Sequence, residues 1–300
     1  MSSADDITST GGLLYGLGNN RRALGILAGK FNGNVFNEVG YYELDRRMVL
    51  SRKGYDTTAD FIRYRFAIPT EVVRFDEASV IIDDDMGRRW RLPIKNRAFA
   101  DLTNATALRL CREVATERDL FNCGGTFYEL PANNADGFAK IRPVASHNFR
   151  IHDYASYRGM LIMTGIDPEK AKTNPNVIIS DDGKAAVWAG VIDDLWKLGM
   201  PSGEGGPWKN SEVFAGTPSD PYLIGFFDRR SLEISHDSPR TVSFVIEADP
   251  SGNGTWMQYA DVAVASGEVY RHIFPESFQA RWIRFVPDRN CRATAWLKYE

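Results

Sequence analysis

Short runs in which apolar and polar residues alternate recur along almost the whole of this 300-residue chain, bounded by Gly, Asp, Asn and Pro. Such alternation is typical of half-buried β-strands, and runs this dense predict an all-β protein built as a sandwich, barrel or propeller. Helical periods are nearly absent. A short helix is predicted over 193–198, and the run 108–119 fits either a helix or a pair of strands. Before residue 208 the predicted strands are 61–68, 79–82, 90–94, 126–130, 160–164, 177–180 and 185–189.

The composition is that of an ordinary folded protein, with 43% hydrophobic and 25% charged residues, which excludes disorder as the main state. The net charge of −3 provides no overall attraction to nucleic acid, so no nucleic-acid partner is predicted. No apolar run approaches the ~20 residues that cross a bilayer, so no membrane span is predicted. The first ten residues lack the features of a secretory signal. We expect a cytoplasmic protein, or a periplasmic or secreted one if a leader precedes this chain.

A stretch rich in Gly, Pro and Ser, residues 199–221, interrupts the strand pattern and is predicted to be a linker or long loop. We therefore predict two domains, a β-propeller-like domain over 1–207 and a small antiparallel β-sandwich over 208–300. Asp249 opens a Gly-rich segment of the second domain. It is expected to form a turn rather than to bind a metal, although a structural calcium ion is an open alternative.

A weak internal repeat favours the propeller for the first domain. The aromatic residues Tyr42, Trp90, Tyr128 and Trp188 recur at spacings compatible with propeller blades of unequal loop length. Only about four such units fit before residue 208, fewer than most propellers contain. The region is therefore either an incomplete propeller or a compact sandwich-like β-domain.

Two turns resemble the Asp box of sialidase-type propellers, Ser-x-Asp-x-Gly-x-x-Trp. Residues 83–90 match it with Asp83 in place of the Ser, and residues 180–183, followed by Trp188, match it more loosely. In such a turn an Asp side chain accepts backbone N–H bonds, Gly takes a positive φ and Trp packs beneath the hairpin.

These turns, the blade spacing and the appended sandwich together resemble the sugar-active β-propeller proteins of polysaccharide-degrading bacteria, a group of sialidase-like hydrolases and propeller lyases. The resemblance covers about residues 30–200. It implies a ligand site at the end of the propeller channel, lined by charged and aromatic residues. The arginine triad and the Tyr–Glu nucleophile of true sialidases are not located in this sequence.

The strongest local anomaly is the segment 138–158, which is basic in an acidic chain and holds two of the four histidines. Arg can hold a carboxylate bidentately while His or Tyr moves a proton, so the segment suits binding or cleavage of an acidic glycan. The alternative is a solvated, charged strand with a hydrogen-bonded histidine. The predicted catalytic residues are His147, Arg150, His152, Asp153 and Tyr157, and the predicted substrate-binding residues are Arg142, Tyr154, Arg158 and Trp196.

Other chemistry is less well supported. The motifs of esterases, metalloproteases, kinases and dinucleotide-binding enzymes are absent, and no cofactor is predicted. Asp153 with Asp193 or Asp194 is a candidate acid pair for glycoside hydrolysis, although Asp193 and Asp194 also suit capping of the short helix. Cys111 and Cys123 are expected to be either buried thiols or a disulfide, and a zinc site on the cysteines is not expected.

The leading hypothesis is a carbohydrate-active hydrolase or lyase of a propeller type that acts on an acidic polysaccharide or oligosaccharide. The second is a non-catalytic glycan-binding or assembly module, in which the carboxy-terminal sandwich recognises the glycan. The third is a structural interaction protein.

Overall fold

The structure is a computed structural model, and its described part is nearly all β with several separate sheets, which confirms the predicted all-β class. Strands are numbered β1 to β23 in chain order. Short 3₁₀ helices span Gly137–Lys140 and Ile192–Lys197. No helix among the described residues is long and apolar enough to cross a membrane. The described residues are 11–16, 23–32, 35–54, 73–84, 86–97, 111–115, 118–131, 135–149, 151, 153–169 and 172–300.

The chain forms two compact units that are interleaved in sequence. Segments 71–97 and 126–146, which precede the proposed domain boundary at residue 208, group with residues 200–300 in unit 2. The predicted domains, 1–207 and 208–300, have other boundaries than these units. The division of the chain into two consecutive domains remains a prediction. Unit 1 comprises Met1–Thr70, Ala98–Gly125 and His147–Gly199, and unit 2 comprises Glu71–Arg97, Thr126–Ser146 and Met200–Glu300.

Unit 1 contains two four-stranded antiparallel sheets and a hairpin. The first sheet is a consecutive meander, whereas the second exchanges its last two strands and has the order β12-β13-β15-β14. The first sheet consists of β1 (Gly11–Gly16), β2 (Ala23–Asn32), β3 (Val35–Asp45) and β4 (Leu50–Lys53). The second consists of β12 (Tyr154–Tyr157), β13 (Met160–Met163), β14 (Val177–Ile179) and β15 (Ala186–Gly190), and the hairpin of β8 (Cys111–Ala115) and β9 (Arg118–Cys123).

The two sheets of unit 1 share one hydrophobic core. Because side chains alternate across a strand, Leu24 and Ile26 of β2 enter the core with Tyr42 of β3. Ile162 and Val187 of the second sheet join the same cluster. Burial of these apolar faces against each other is the main force that holds the unit together.

Unit 2 contains a seven-stranded and a four-stranded sheet. Trp208 connects their inner faces, with its ring centroid 6.4 Å from that of Phe244 and 6.1 Å from that of Phe285. The larger sheet has the order β20 (Met257–Val264), β19 (Val242–Asp249), β22 (Trp282–Pro287), β17 (Tyr222–Leu223), β7 (Arg89–Leu92), β6 (Val80–Asp83) and β5 (Val73–Phe75). The smaller has the order β16 (Gly203–Val213), β23 (Cys291–Tyr299), β18 (Arg230–His236) and β21 (Tyr270–Ile273). Unit 2 also contains β10 (Thr126–Pro131), which pairs antiparallel with β11 (Arg142–Ser146).

The prediction of a loop over 199–221 is wrong, because β16 runs through its middle and pairs with β23. The glycines that suggested a loop have a packing role. A Cβ atom on Gly206 would overlap the Ala295 carbonyl oxygen of the neighbouring strand. The register of β16 also shifts twice, between Gly205 and Trp208 and between Trp208 and Ser211. Close approach of backbones and bulges are what Gly in a strand provides.

Most other predicted elements are confirmed. The run 108–119 falls on the strand pair β8–β9 rather than on a helix, and 193–198 contains the predicted helix as a 3₁₀ turn. The predicted strand at 61–68 lies outside the described residues.

Aspartate side chains organise the predicted turns. The turn before β7 is centred on Asp84, whose Oδ1 accepts the backbone N–H groups of Met86 and Arg88 at 3.0 and 2.8 Å. Its Oδ2 accepts the indole N–H of Trp90 at 2.9 Å, and Gly87 takes φ +74°. The hydrogen bonds expected of the turn are thus present, but the acceptor is Asp84, one position before the Asp of the motif. The identity of this turn as an Asp box stays a prediction.

The second Asp-box-like turn, at 180–183, joins β14 to β15. Asp182 accepts the Ser180 hydroxyl at 2.7 Å through Oδ1 and the Tyr42 hydroxyl at 3.1 Å through Oδ2. These hydrogen bonds, among others, lower the pKa of Asp182, against the effect of its burial. Elsewhere Asp249 accepts the N–H groups of Ser251, Gly252 and Gly254 at 2.7–3.1 Å, which confirms its predicted role in the turn.

Candidate functional site

The basic segment 138–158 is shared between the two units, with the division after residue 146. Arg142 lies on β11 of unit 2 and forms an ion pair with Glu129 directly opposite on β10, with Nε 2.8 Å from the carboxylate. Arg150 and His152, both predicted to be catalytic, lie outside the described residues. The remaining predicted site residues belong to unit 1: His147, Asp153, Tyr154, Tyr157, Arg158 and Trp196.

His147 is buried and its ring is held on both sides. The Phe149 N–H donates to Nδ1 at 3.3 Å, so Nε2 carries the proton and donates to the Asn122 side-chain oxygen at 2.8 Å. Burial lowers the pKa of His147 from 6.5 to about 3. At neutral pH the ring is therefore neutral and serves to join the loop at 147–149 to β9. This geometry matches the alternative of a hydrogen-bonded structural histidine.

Asp153 and Tyr154 are also buried in unit 1. The Thr164 N–H donates to the Asp153 carbonyl at 3.0 Å, and the Asp153 carboxylate accepts the Tyr154 N–H at 2.8 Å. The Tyr154 hydroxyl donates to the Leu120 carbonyl oxygen. These hydrogen bonds therefore stabilise the β12–β13 hairpin and join it to β9. They leave the side chains of Asp153 and Tyr154 buried within the fold rather than exposed to a ligand.

Tyr157 and Arg158 stand at the tip of the β12–β13 hairpin. Tyr157 belongs to the core of unit 1, and burial raises the pKa of its hydroxyl. Arg158 is exposed and takes φ +52°, followed by Gly159 at φ +79°, in a two-residue turn of the primed type. An arginine in this conformation is uncommon, since Asn and Gly are the usual residues there.

The candidate acid pair includes a capping residue. The Val191 N–H donates to the Asp194 carboxylate at 2.9 Å, and Lys197 lies 2.6 Å from the same carboxylate, so Asp194 caps the 3₁₀ helix. Trp196 on that helix is 58% exposed and is available to a ligand. Asp193 is exposed beside it.

The described part contains a buried cysteine and no cluster of metal-ligating side chains. Among its residues no group of three or more His, Cys, Asp and Glu side chains could hold a metal ion. Cys123 is buried, while the Cys111 side chain lies outside the described part. On the β8–β9 hairpin the residue opposite Cys111 is Phe121.

Unit 2 carries a second cluster of chemistry-bearing side chains, which the sequence did not single out. Its five rings come from β20, β21 and the segment after β21. β20 is an edge strand of the seven-stranded sheet, and β21 is an edge strand of the four-stranded sheet. We call this group the aromatic edge cluster. Its members are Tyr259, Tyr270, His272, Phe274 and Phe278.

The rings of the aromatic edge cluster are in continuous contact. Tyr259 packs against Phe278 with centroids 4.8 Å apart, and Phe278 against Phe274 at 4.9 Å. His272 lies 5.7 Å from Tyr259, and its plane is within 10° of that of Tyr270. Phe274 is buried, whereas the other four rings are partly exposed. A hydrophobic base therefore supports rings that remain open to solvent.

Two side chains of the cluster, Tyr259 and His272, form a polar pair. The Tyr259 hydroxyl and His272 Nε2 form a 2.9 Å hydrogen bond. Burial raises the pKa of Tyr259 and lowers the pKa of His272, so both side chains are neutral at physiological pH. Next to them Ile273 is 80% exposed. The cluster is thus an aromatic platform with a fixed, uncharged polar pair.

The sequence carries a signal for this platform. The alternation places Tyr270 and His272 of β21, and Phe274 directly after the strand, on one face. An aromatic row that is only partly buried on an edge strand is a candidate binding surface. What the alternation could not show is that Tyr259, on an edge strand of the other sheet, packs beside this row.

No protein-family model matches the chain, and no curated protein matches it. Weak structural neighbours include glycoside hydrolases. A GH43 arabinoxylan arabinofuranohydrolase from Bacillus subtilis has 10% identity and a TM-score of 0.20, covering 97% of this chain and 79% of that one. A GH32 beta-fructofuranosidase of Bombyx mori has 10% identity and a TM-score of 0.17, covering 100% and 68%. A crystal structure of PirA has 16% identity and a TM-score of 0.20, covering 33% and 84%. At TM-scores this low, the chemistry of the site rests on its own geometry.

Proposed function

We propose that this protein binds glycans through the β-sandwich of unit 2, with the aromatic edge cluster as the contact surface. The observation that carries the proposal is the set of partly exposed, mutually packed rings on the edge strands β20 and β21. One face of a pyranose ring presents C–H groups, which pack against an aromatic face. Aromatic side chains with a polar atom combine such apolar contact with hydrogen bonding.

The cluster is preorganised for this task. Tyr259 is fixed by its hydrogen bond to His272 and by ring contacts to Phe274 and Phe278. A side chain that is already immobilised loses little conformational entropy when a ligand binds. Because the polar pair is neutral, sugar hydroxyls can exchange hydrogen bonds with it without the desolvation of a charge.

Carbohydrate binding is tested by calorimetric titration of the whole protein with neutral and acidic oligosaccharides, such as xylotetraose and trigalacturonate. Tyr259→Ala and Tyr270→Ala are expected to weaken binding at least about tenfold, as truncation of a central aromatic contact does. Phe214→Ala is the matched control, because Phe214 is a 58% exposed ring of the same unit outside the cluster. Equal loss in Phe214→Ala, or full binding by Tyr259→Ala, would remove the cluster from the function.

A hydrolase or lyase activity of unit 1 is the second candidate. It is supported by the exposure of Arg158 and Trp196, which leaves both side chains accessible to a ligand. The side chains of His147 and Tyr154 are buried and hydrogen-bonded within the fold, so they do not support it. If the same oligosaccharides are cleaved, product analysis should show turnover that Arg158→Ala or Trp196→Ala reduces. Binding without products supports the non-catalytic function.

We also propose that the region 1–207 is related to a β-propeller that is incomplete in this chain. The four-stranded sheets of unit 1 and the Asp-centred turn at Asp182 support this relation.

A further inference from the structure

Arg230, the first residue of β18, is a buried cation with few partners. It is 6% exposed, and its guanidinium makes one hydrogen bond, from Nη2 to the Pro275 carbonyl oxygen at 3.4 Å. Nε is shielded from solvent and has no hydrogen-bond partner in the described structure. Among the described residues no carboxylate forms an ion pair with this guanidinium. Burial lowers the pKa of Arg230 accordingly.

Arg91 of the same unit shows how a buried arginine is ordinarily satisfied. It is 9% exposed and forms ion pairs with Asp76 at 2.7 Å and Asp220 at 2.8 Å. It also donates to the Ser79 hydroxyl at 2.9 Å. Because a buried charge is costly unless it is paired, the contrast identifies Arg230 as a cation whose partner is not supplied by the described part of the chain.

Arg230 lies at the end of the aromatic edge cluster. Its guanidinium carbon is 5.6 Å from the centroid of Phe278, and Phe278 contacts Tyr259 at 4.8 Å. A ligand that stacks on Tyr259 is therefore separated from the positive charge of Arg230 by one ring, that of Phe278. The guanidinium has five N–H donors, of which the described hydrogen bonds use one.

We propose that Arg230 binds the anionic oxygen group of an acidic glycan, a carboxylate or a sulfate, whose sugar ring stacks on the aromatic edge cluster. This inference rests on the proposed glycan-binding function and adds the class of ligand. Arginine suits the role because its planar fork matches the geometry of both oxyanions. The Arg230 charge, which lacks a carboxylate partner in the described structure, gains one when the ligand binds.

The test compares ligands that differ by one charge. Trigalacturonate, its methyl ester, and a sulfated oligosaccharide of similar length are titrated into the whole protein by calorimetry. The free acid, the sulfated sugar or both should bind at least about tenfold more tightly than the ester, since hydrogen bonds to a charged group are the stronger kind. Comparison of the affinities for trigalacturonate and for the sulfated oligosaccharide decides whether the site prefers a carboxylate or a sulfate.

Arg230→Met should abolish the preference for the acid while leaving ester binding unchanged. Arg230→Lys keeps the charge without the fork and should retain part of the preference. Arg229→Gln is the matched control, because Arg229 is the adjacent arginine and is exposed. The melting temperature of Arg230→Met should equal or exceed that of the original protein, since an uncompensated buried charge is replaced by an apolar side chain of similar length.

The outcomes separate the two proposals. If glycans bind and Tyr259→Ala abolishes binding, but the acid and ester bind equally, the anion site is overturned and the glycan-binding function stands. The same holds if Arg230→Met keeps the full preference for the acid. If no oligosaccharide binds at all, both are overturned. A large drop in the melting temperature of Arg230→Met identifies a structural arginine and also overturns the anion site.

Discussion

Two regions of this protein concentrate chemistry-bearing side chains, and they use them in opposite ways. In the segment 147–158 of unit 1, the side chains of His147 and Tyr154 are buried and hydrogen-bonded within the fold. In the aromatic edge cluster of unit 2, Tyr259 and His272 remain partly exposed. The first region is conspicuous in sequence because its polar residues lie close together along the chain. The second becomes apparent only when two edge strands are placed side by side.

The difference shows what separates a functional surface from a structural polar cluster. A polar group that completes its hydrogen bonds inside the fold stabilises the fold and has nothing left to offer a ligand. A ring held by neighbours on one side and open on the other keeps its contact surface for a partner. Replacements in the first region should therefore mainly lower stability, and replacements in the second should mainly lower binding.

The largest effect expected from this comparison is on stability. His147→Ala should lower the free energy of unfolding by about 2–4 kcal/mol, because it creates a cavity and leaves buried polar groups without partners. The matched change His272→Ala in the aromatic edge cluster should cost less than about 1 kcal/mol, since that ring is partly exposed. Urea unfolding of both variants measures the difference. Equal losses would contradict the division of roles.

The pH dependence of stability sharpens the same comparison. Since the pKa of His147 is about 3 in the folded protein and near 6.5 when unfolded, the unfolded state binds more protons between these values. The free energy of unfolding should therefore fall as pH is lowered from 6.5 toward 3, by up to about 1.4 kcal/mol per pH unit from this residue.

The pH effect is isolated between pH 6.5 and 5, above the range in which carboxylates titrate. His147→Gln should flatten the slope. His272→Gln provides the background, because the pKa of His272 is lowered in the same direction. A slope that survives in His147→Gln and disappears in His272→Gln would reverse the assignment of the buried histidine.

The smallest effect concerns the hairpin tip at Arg158. Arg158→Asn should raise the free energy of unfolding by about 0.5–1 kcal/mol, because Asn tolerates the positive φ of this turn better than Arg does. Thermal unfolding measures the change, and Arg158→Ala is the control, since it lacks the advantage of Asn at positive φ. A loss of stability in Arg158→Asn would show that the arginine side chain makes a stabilising contact.

The sequence predicted local structure better than it predicted the site. The alternation gave the all-β class and most described strands, and the Asp-Gly turns at Asp84, Asp182 and Asp249 make the expected backbone hydrogen bonds. These successes share a cause, because strands and turns depend on residues that are close in sequence. The sequence predicts a loop at β16 because this strand is rich in glycine. Gly206 is needed there because the Ala295 carbonyl of a strand distant in sequence approaches its backbone closely.

The sequence by itself determined that this chain folds into short strands joined by Asp- and Gly-rich turns, because side-chain alternation and turn preferences act over a few residues. Only the tertiary structure decided which polar side chains form hydrogen bonds inside the fold and which aromatic rings stay exposed to solvent. That decision depends on burial and on partners far apart in the chain: Asn122 with His147, Tyr259 with His272. Such pairings are set by packing, and the sequence near each residue does not contain them.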